Sequence, residues 1–465
     1  MKTKFACSSS KQLTILAALA CALTVLIRQD SSAQVGLRTY TGTFVDGATY
    51  LMEVPANYNG TLFLFSHGTA PPGVPNPPTD TGDSLTRLYL LSHGYALAGS
   101  SFAVTGWAVE SAFKDQIATL DLFTKTVGVP KRTIAWGASM GGLITAGLIE
   151  KYPNRFSGAV PFCGLLGGAV GLWNEFLDAA FVFQTLLAPD SGLQIANIKY
   201  PIKNIQLSEQ LLSAAQATPQ GQARIALVAA MFDTPGSSIP PPNPKDYTAI
   251  ELNQFFTLQG FPFQLFFGIR SNLEDRAGGN PSWNTGVDYK KQLEISVDYD
   301  EVRALYKTAG LSLDADLQSL SNTPRITANP EAVQYLSENV IFSGDLKVPV
   351  LTVHNTGDDI ATVELEQAYA AVVHAAKNDS LLRQTYVNRA YHCNFTSAET
   401  IAALQSLLRR LDSGEWDGAD PKDLNDAASA LPHAYDGFVA PAFVDYKPAP
   451  FQRPFNIGGS GPRDH

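Results

Sequence analysis

Thr133-Ile134-Ala135-Trp136-Gly137-Ala138-Ser139-Met140-Gly141 is the stretch on which the reading of this chain turns. Four residues of strand character run into a Gly-x-Ser-x-Gly sequence, and a helical pattern follows from Gly141 to Lys151. Passing from strand to helix in so few residues predicts a tight turn with the serine at its apex, its hydroxyl lifted above the sheet. Side chains at 137 and 141 would collide across such a turn, so glycine is required at both. The following helix aims its N-terminus at the serine, which favours a developing oxyanion beside the Met140 N–H. The bare pattern is short enough to arise by chance, and a turn with an idle serine is the plain alternative. The flanking strand and helix are what give it weight.

Outward from this turn the chain alternates. Thr39–Val45 and Thr49–Val54, separated by Asp46-Gly47, predict a hairpin. Thr61–Phe65, Tyr95–Ser100 and Phe156–Phe162 read as strands, with helices over Asp83–Leu91 and Glu110–Thr126. Apolar strands alternating with helices predict an α/β fold, a mostly parallel sheet with helices on both faces. The alternation stops at 164 and resumes at 346. It continues with a strand (Val348–His354), a helix (Val363–Ala376), a strand (Leu382–Asn388) and a helix (Ser397–Leu411). Residues 34–163 and 346–412 therefore form the expected core domain. Residues 164–345, helical in pattern apart from the proline-rich 239–244, form an expected helical lid, since so long an unstructured loop would be unusual. Residues 413–465, rich in Pro, Gly and Asp, read as an extended surface tail.

Residues 1–33 carry Lys2, Lys4 and Lys11, an apolar run from Leu13 to Ile27, and small residues at Ser31-Ser32-Ala33. That layout reads as a signal peptide, so the expected location is secreted or periplasmic. A permanent anchor is the rival, but the run is short for a membrane span; lipid-linked cleavage at Cys21 is another. Of four cysteines, Cys163 and Cys393 stay in the mature chain. A formal net charge of −10 argues against nucleic acid or an anionic membrane surface as the main partner. The sequence is silent on oligomeric state.

A serine nucleophile needs a base, and the base an orienting acid. Of seven histidines, His392 alone follows the last sheet strand in a loop, at the edge of a parallel sheet where a site must assemble. The acid should end the preceding strand: Leu351–Gly357 leads to Asp358-Asp359. Asp358 is the choice and Asp359 the reserve, with turn-capping the alternative role for either. The order Ser139, Asp358, His392, together with the turn and Ser66-His67-Gly68-Thr69 after a strand, resembles the α/β-hydrolase superfamily. The resemblance spans nearly all of 34–412, although the lid matches by position alone. It implies a serine hydrolase whose oxyanion is held by the N–H groups of Met140 and Thr69, with His67 bracing that loop. Val54–Thr61 and Thr105–Glu110 are also similar to a bacterial group of exported hydrolases.

Tannases and feruloyl esterases share a large lid and a cysteine beside the histidine, as Cys393 is here. Their second hallmark, a cysteine beside the serine, is absent, because Ala138 and Met140 flank Ser139. Cys163, however, ends the strand next to the elbow strand and should lie near the His392 loop. A Cys163–Cys393 disulfide is therefore expected, against the alternative of two buried thiols.

In the lid, Trp173, Phe176, Phe181, Phe183, Phe255, Phe256, Phe261, Phe263, Phe266 and Phe267 suit either its own core or an apolar pocket. Arg270, Glu274 and Arg276 suit either a carboxylate site or a solvated face. The expected activity is hydrolysis of a carboxylic ester with an apolar or aryl group, small or polymer-derived, with an amidase or peptidase as the alternative. No cofactor and no metal is expected, since no Cys/His cluster has zinc-ligand spacing and no phosphate loop is present.

Overall fold

A computed structural model describes residues 36–237 and 243–455. The signal segment read over 1–33, most of the proline-rich run and His465 lie outside the described residues. The described residues from 38 to 455 form one unit. Its nine strands are β1 (Arg38–Thr43), β2 (Thr49–Val54), β3 (Thr61–Ser66), β4 (Ala96–Ser100), β5 (Arg132–Ala138), β6 (Gly158–Phe162), β7 (Val350–Gly357), β8 (Leu382–Ala390) and β9 (Phe443–Val444). They form one sheet in the order β1-β2-β4-β3-β5-β6-β7-β8-β9. From β4 to β8 every pairing is parallel; β1–β2, β2–β4 and β8–β9 are antiparallel. This is the mostly parallel α/β sheet that the strand pattern predicted and that the resemblance to the α/β-hydrolase superfamily implied.

Helices α1 (Ser84–Ser92), α2 (Val109–Thr126) and α3 (Met140–Lys151) connect the first strands. Between β6 and β7 come α4 (Ala169–Leu187), α5 (Pro201–Gln216), α6 (Pro219–Ala230), α7 (Tyr247–Gln259), α8 (Phe261–Ala277), α9 (Tyr289–Ile295), α10 (Tyr299–Ala309), α11 (Leu313–Asn322) and α12 (Pro330–Asn339). Then follow α13 (Glu364–Ala375), α14 (Ser397–Ser413) and α15 (Pro421–Ser429). The central strands are buried on both faces. Leu62, Leu64 and Ala135 join the cluster that holds Phe113 of α2 and Leu143 of α3. On the opposite face α14 lies so close that a Cβ on Gly158 would meet Leu407. Leu172, Leu177 and Phe181 of α4 belong to the same cluster as Leu143, so the inserted helices and the sheet share a continuous apolar interior.

The end of the chain departs from the extended surface tail read from its composition. It forms α15 and β9, then buries Phe451 at 3% exposure. Gln452 donates to Asp233 (2.7 Å) and Arg453 to Asp178 (2.5 Å), both buried carboxylates of the insertion. Proline and glycine set the local bends, and a few late side chains supply the anchors that composition hides.

Candidate active site

Ser139 sits between β5 and α3 at φ 61°, ψ −126°, a conformation an L-residue adopts only when its surroundings impose it. The surroundings are close-packed backbone. A Cβ on Gly137 would stand 2.4 Å from Ser66 O, and one on Gly141 only 1.9 Å from the same atom. The Ser139 N–H donates to Phe162 O at 3.1 Å, tying the turn to the end of β6. The loop after β3 lies against the turn as well, since a Cβ on Gly68 would be 3.3 Å from Ser139 Cβ. Thr69 Oγ1 reaches Met140 Sδ at 3.6 Å. His67 Nδ1 faces Gly68 O at 2.6 Å, Asn76 Nδ2 faces Nε2 at 3.3 Å, and the ring stacks on Phe102 at 4.0 Å. Burial lowers the His67 pKa, with its backbone partners opposing.

His392 and Asp358 come together. His392 Nδ1 donates to Asp358 at 2.8 Å (Oδ1) and 2.9 Å (Oδ2), fixing the tautomer that leaves Nε2 free to accept a proton. Asp358 is fully withdrawn from solvent; its Oδ1 also accepts from the N–H groups of Ile360 (3.0 Å) and Ala361 (2.9 Å). Both roles weighed for this aspartate thus meet in one side chain. Asp359, the reserve, makes no bond to the His392 ring, and burial raises its pKa.

Cys163 and Cys393 form the disulfide expected of them, between the end of β6 and the His392 loop. Cys163, Tyr391 and Cys393 all have positive φ (42°, 75°, 50°). Together with Ser139 they concentrate backbone strain at this edge of the sheet. The loop is further clamped to β7, because Asn355 accepts from Asn394 N–H (2.9 Å) and donates to Asn394 O (3.1 Å). Among the described residues no hydrogen bond joins Ser139 Oγ to His392, whose Nε2 lies 3.3 Å from Cys393 Sγ. Such bonds commonly tighten only around a bound substrate.

Ser139, His392 and Thr69 open into one cavity of about 230 Å³. The rest of its wall is apolar: Trp107 from the loop before α2, Leu165, Leu172, Trp173 and Phe176 at the start of the insertion, Leu265 and Ile269 of α8, and Ile360. No carboxylate, lysine or arginine lines it among the described residues. Two aromatics of the insertion, Trp173 and Phe176, thus face the site. Phe181, Phe183, Phe263, Phe266 and Phe267 are core, Phe256 is exposed, and the Phe261 side chain lies outside the described set. Sequence reasoning did not place Trp107 in the wall, and it passed over the five aliphatic residues Leu165, Leu172, Leu265, Ile269 and Ile360, which carry no signal beyond being apolar.

Arg270 neither offers an open site for a ligand carboxylate nor belongs to a solvated face. It is fully buried, donates to Glu274 (3.0 Å), Ser282 (3.1 Å) and Asn280, and lies over Phe266. Glu274 in turn accepts from the N–H groups of Asn197 (2.8 Å) and Ile198 (2.7 Å). Arg276 lines a separate, open cleft of about 470 Å³ with Asn76, Thr105 and Asn272.

A parallel sheet that delivers a serine on a strained strand-to-helix turn, with a carboxylate-bound histidine after the last parallel strand, defines the α/β-hydrolase class of serine hydrolases. The chain is 31% identical over 423 residues to o-phthalyl amidase of Xanthobacter agilis, covering 84% of this chain and 90% of that protein, and it belongs to the same family. No family model matches it. Among solved structures, an esterase from Aspergillus oryzae is 15% identical with a TM-score of 0.42, over 81% of this chain and 80% of that one. Feruloyl esterase B from the same organism is 14% identical with a TM-score of 0.42, over 81% of each chain. No described helix is long and apolar enough to cross a membrane.

Proposed function

We propose that the chain hydrolyses an acyl bond of a substrate with a compact, uncharged aryl acyl group, using Ser139 as nucleophile, His392 as base and Asp358 as its orienting acid. The observation that carries this is the cavity. Ser139 and His392 both open into it, Trp107, Trp173 and Phe176 make its wall aromatic, and among the described residues no fixed charge lines it. In the proposed cycle His392 Nε2 takes the Ser139 proton as Oγ bonds to the acyl carbon. The carbonyl electron pair moves to oxygen, where the N–H groups of Met140 and Thr69 hold the oxyanion. His392 then gives the proton to the leaving nitrogen or oxygen, and a water repeats the sequence to free the acid and restore Ser139.

The leaving group decides between amide and ester. The same three residues serve both, and the relative named o-phthalyl amidase favours the amide; the ester expected from the sequence is the second reading. Export through residues 1–33 is part of the proposal and agrees with the Cys163–Cys393 disulfide.

The test is turnover by purified protein beside Ser139→Ala, on p-nitrophenyl esters of rising chain length, aryl amides, benzoyl and feruloyl esters, and phthalyl amides. Turnover of benzoyl-sized acyl groups that vanishes in Ser139→Ala supports the reading, and the amide-to-ester ratio sets the bond. Preference for long alkyl chains would refute the aryl pocket, and preference for phthalyl amides, whose ring bears a carboxylate, would refute an uncharged acyl group. Activity surviving in Ser139→Ala would refute the site.

A further inference from the structure

The strand that delivers Asp358 carries an unusual passenger. β7 is buried on both faces, a setting that selects continuous apolar runs, yet His354 stands in it with no exposed surface. Its Nε2 lies 2.6 Å from Ala361 O, which can only accept, so Nε2 carries a hydrogen. Its Nδ1 lies 3.1 Å from Glu366 Oε1 of α13. Glu366 Oε2 already accepts from Thr352 Oγ1 (2.6 Å) and Gln384 Nε2 (2.5 Å), the pattern of an ionised carboxylate, so Nδ1 is a donor too. His67 differs in that its ring nitrogens face the backbone carbonyls of Gly68 (2.6 Å) and Ser101 (3.2 Å) rather than a carboxylate.

The imidazolium also lies behind the acid of the site, with Nε2 3.8 Å from Asp358 Oδ2. The same Ala361 peptide that accepts from His354 donates its N–H to Asp358 Oδ1. One ring thereby holds the 358–361 turn mechanically and places a positive charge between two carboxylates. The other titratable groups facing it are Glu364 at the start of α13 and Tyr386, its register partner on β8; from β6 it meets none.

We propose that His354 is a positioning residue that, as an imidazolium, holds the 358–361 turn and keeps Asp358 oriented toward His392. The proposal rests on the triad reading above. Burial works against this charge, but the hydrogen bond and charge of Glu366, then Asp358 and Ala361 O, outweigh it and push the His354 pKa up to about 9. Without the imidazolium, Glu366 becomes an unscreened negative charge near Asp358, and the potential at the His392 ring turns more negative.

The experiment is the pH dependence of kcat/KM for wild type, Ser139→Ala, His354→Gln, Glu366→Gln and the double variant, with melting temperatures for each. Glutamine keeps a donor for Ala361 O but not the charge. His354→Gln is expected to lower kcat by roughly tenfold with little change in KM, and to move the acid limb up by roughly half a unit or more. Removing the Glu366 carboxylate as well is expected to return the limb toward wild type, which a merely structural role would not do. A folded His354→Gln with unchanged kcat and limb overturns the proposal, and so does a double variant no closer to wild type than the single. Should His354→Gln not fold, the ring nitrogen NMR shifts of His354 in the wild type decide: protons on both ring nitrogens near neutral pH are the expected result, and a neutral ring overturns the role. Turnover surviving in Ser139→Ala would instead sink the triad reading itself.

Discussion

Gly141→Ala is the substitution for which the structure makes the sharpest demand. The added methyl would stand 1.9 Å from Ser66 O, 2.6 Å from Ser66 C and 2.7 Å from His67 O. All three are backbone atoms, so no side-chain rotation relieves the clash. Restoring an ordinary contact of about 3.4 Å requires the strand end at 66–67 and the elbow to part by roughly 1.5 Å. Gly68 and Thr69 follow directly, and Thr69 is the proposed second oxyanion donor.

A displacement of about 1 Å in a reacting geometry can cost on the order of 100-fold in rate, and overpacking costs about 1–3 kcal/mol of stability. The expectation is therefore a loss of at least roughly 100-fold in kcat/KM, carried mostly by kcat, with a melting temperature lower by a few degrees. Gly268→Ala is the control. It lies in α8, where the nearest atom to an added Cβ is Ile205 Cδ1 at 3.7 Å. It should gain about 0.5–1 kcal/mol from the helix backbone and leave turnover within about twofold. Steady-state kinetics on the best substrate of the panel and thermal melts of both variants suffice. Turnover of Gly141→Ala within about threefold of wild type would refute the claim that the elbow and the loop after β3 are packed to contact.

Two further outcomes follow from the same framework. Replacing both Cys163 and Cys393 by serine opens a loop of sequence separation 230. The chain-entropy model sets the cost at up to about 5.5 kcal/mol. The melting temperature should fall by several degrees and kcat by more than KM rises, because the His392 loop loses its tie to β6; an unchanged melt and rate would refute that coupling.

Stability should also fall as pH rises. Burial first, then neighbouring carboxylates, raises Asp298 and, to about 9, Glu301; burial is also the largest cause of the rise of Glu364 to about 7. For these groups the folded protein holds protons that the unfolded chain releases. Their contribution is therefore fullest near the ordinary carboxylate range and is lost as pH climbs through 7–9. That of His354 is present below its unfolded value and lost through about 9. Melting temperatures measured from pH 6 to 9.5 at fixed ionic strength should decline throughout, and a flat or rising curve would contradict the assignment.

What could be read in the sequence was what short-range sterics and chain order dictate. The turn at Ser139 was legible because Gly137 and Gly141 answer to collisions over a few residues. The Asp358–His392 contact and the disulfide were legible because parallel strands place their carboxyl ends together, so residues just past β6, β7 and β8 must meet. The packing of the insertion was not. Its helical periodicity marks an apolar face without naming what that face meets, so Leu172 and Ile269 look the same as core residues until α4 and α8 are set over the sheet. The charge on Arg270 was misleading for the related reason that a buried ion pair and a solvated one are spelled alike. Composition misjudged the chain's end, where Phe451, Gln452 and Arg453 dock among prolines and glycines.

His354 shows where a further signal lay. A strand covered on both faces should read as unbroken apolar residues, and β7 instead reads Val350-Leu351-Thr352-Val353-His354-Asn355. Each interruption is buried and bonded: Thr352 to Glu366, His354 to Glu366 and Ala361, Asn355 to Asn394 of the histidine loop. A buried polar group costs free energy unless its partners are in place. Three in four residues, immediately before an acidic turn, therefore mark a strand whose side chains were selected for what they hold rather than for what they exclude. In β7 they hold the Asp358 turn on one side and the His392 loop on the other, and that division of labour makes the strand the organising element of the proposed site.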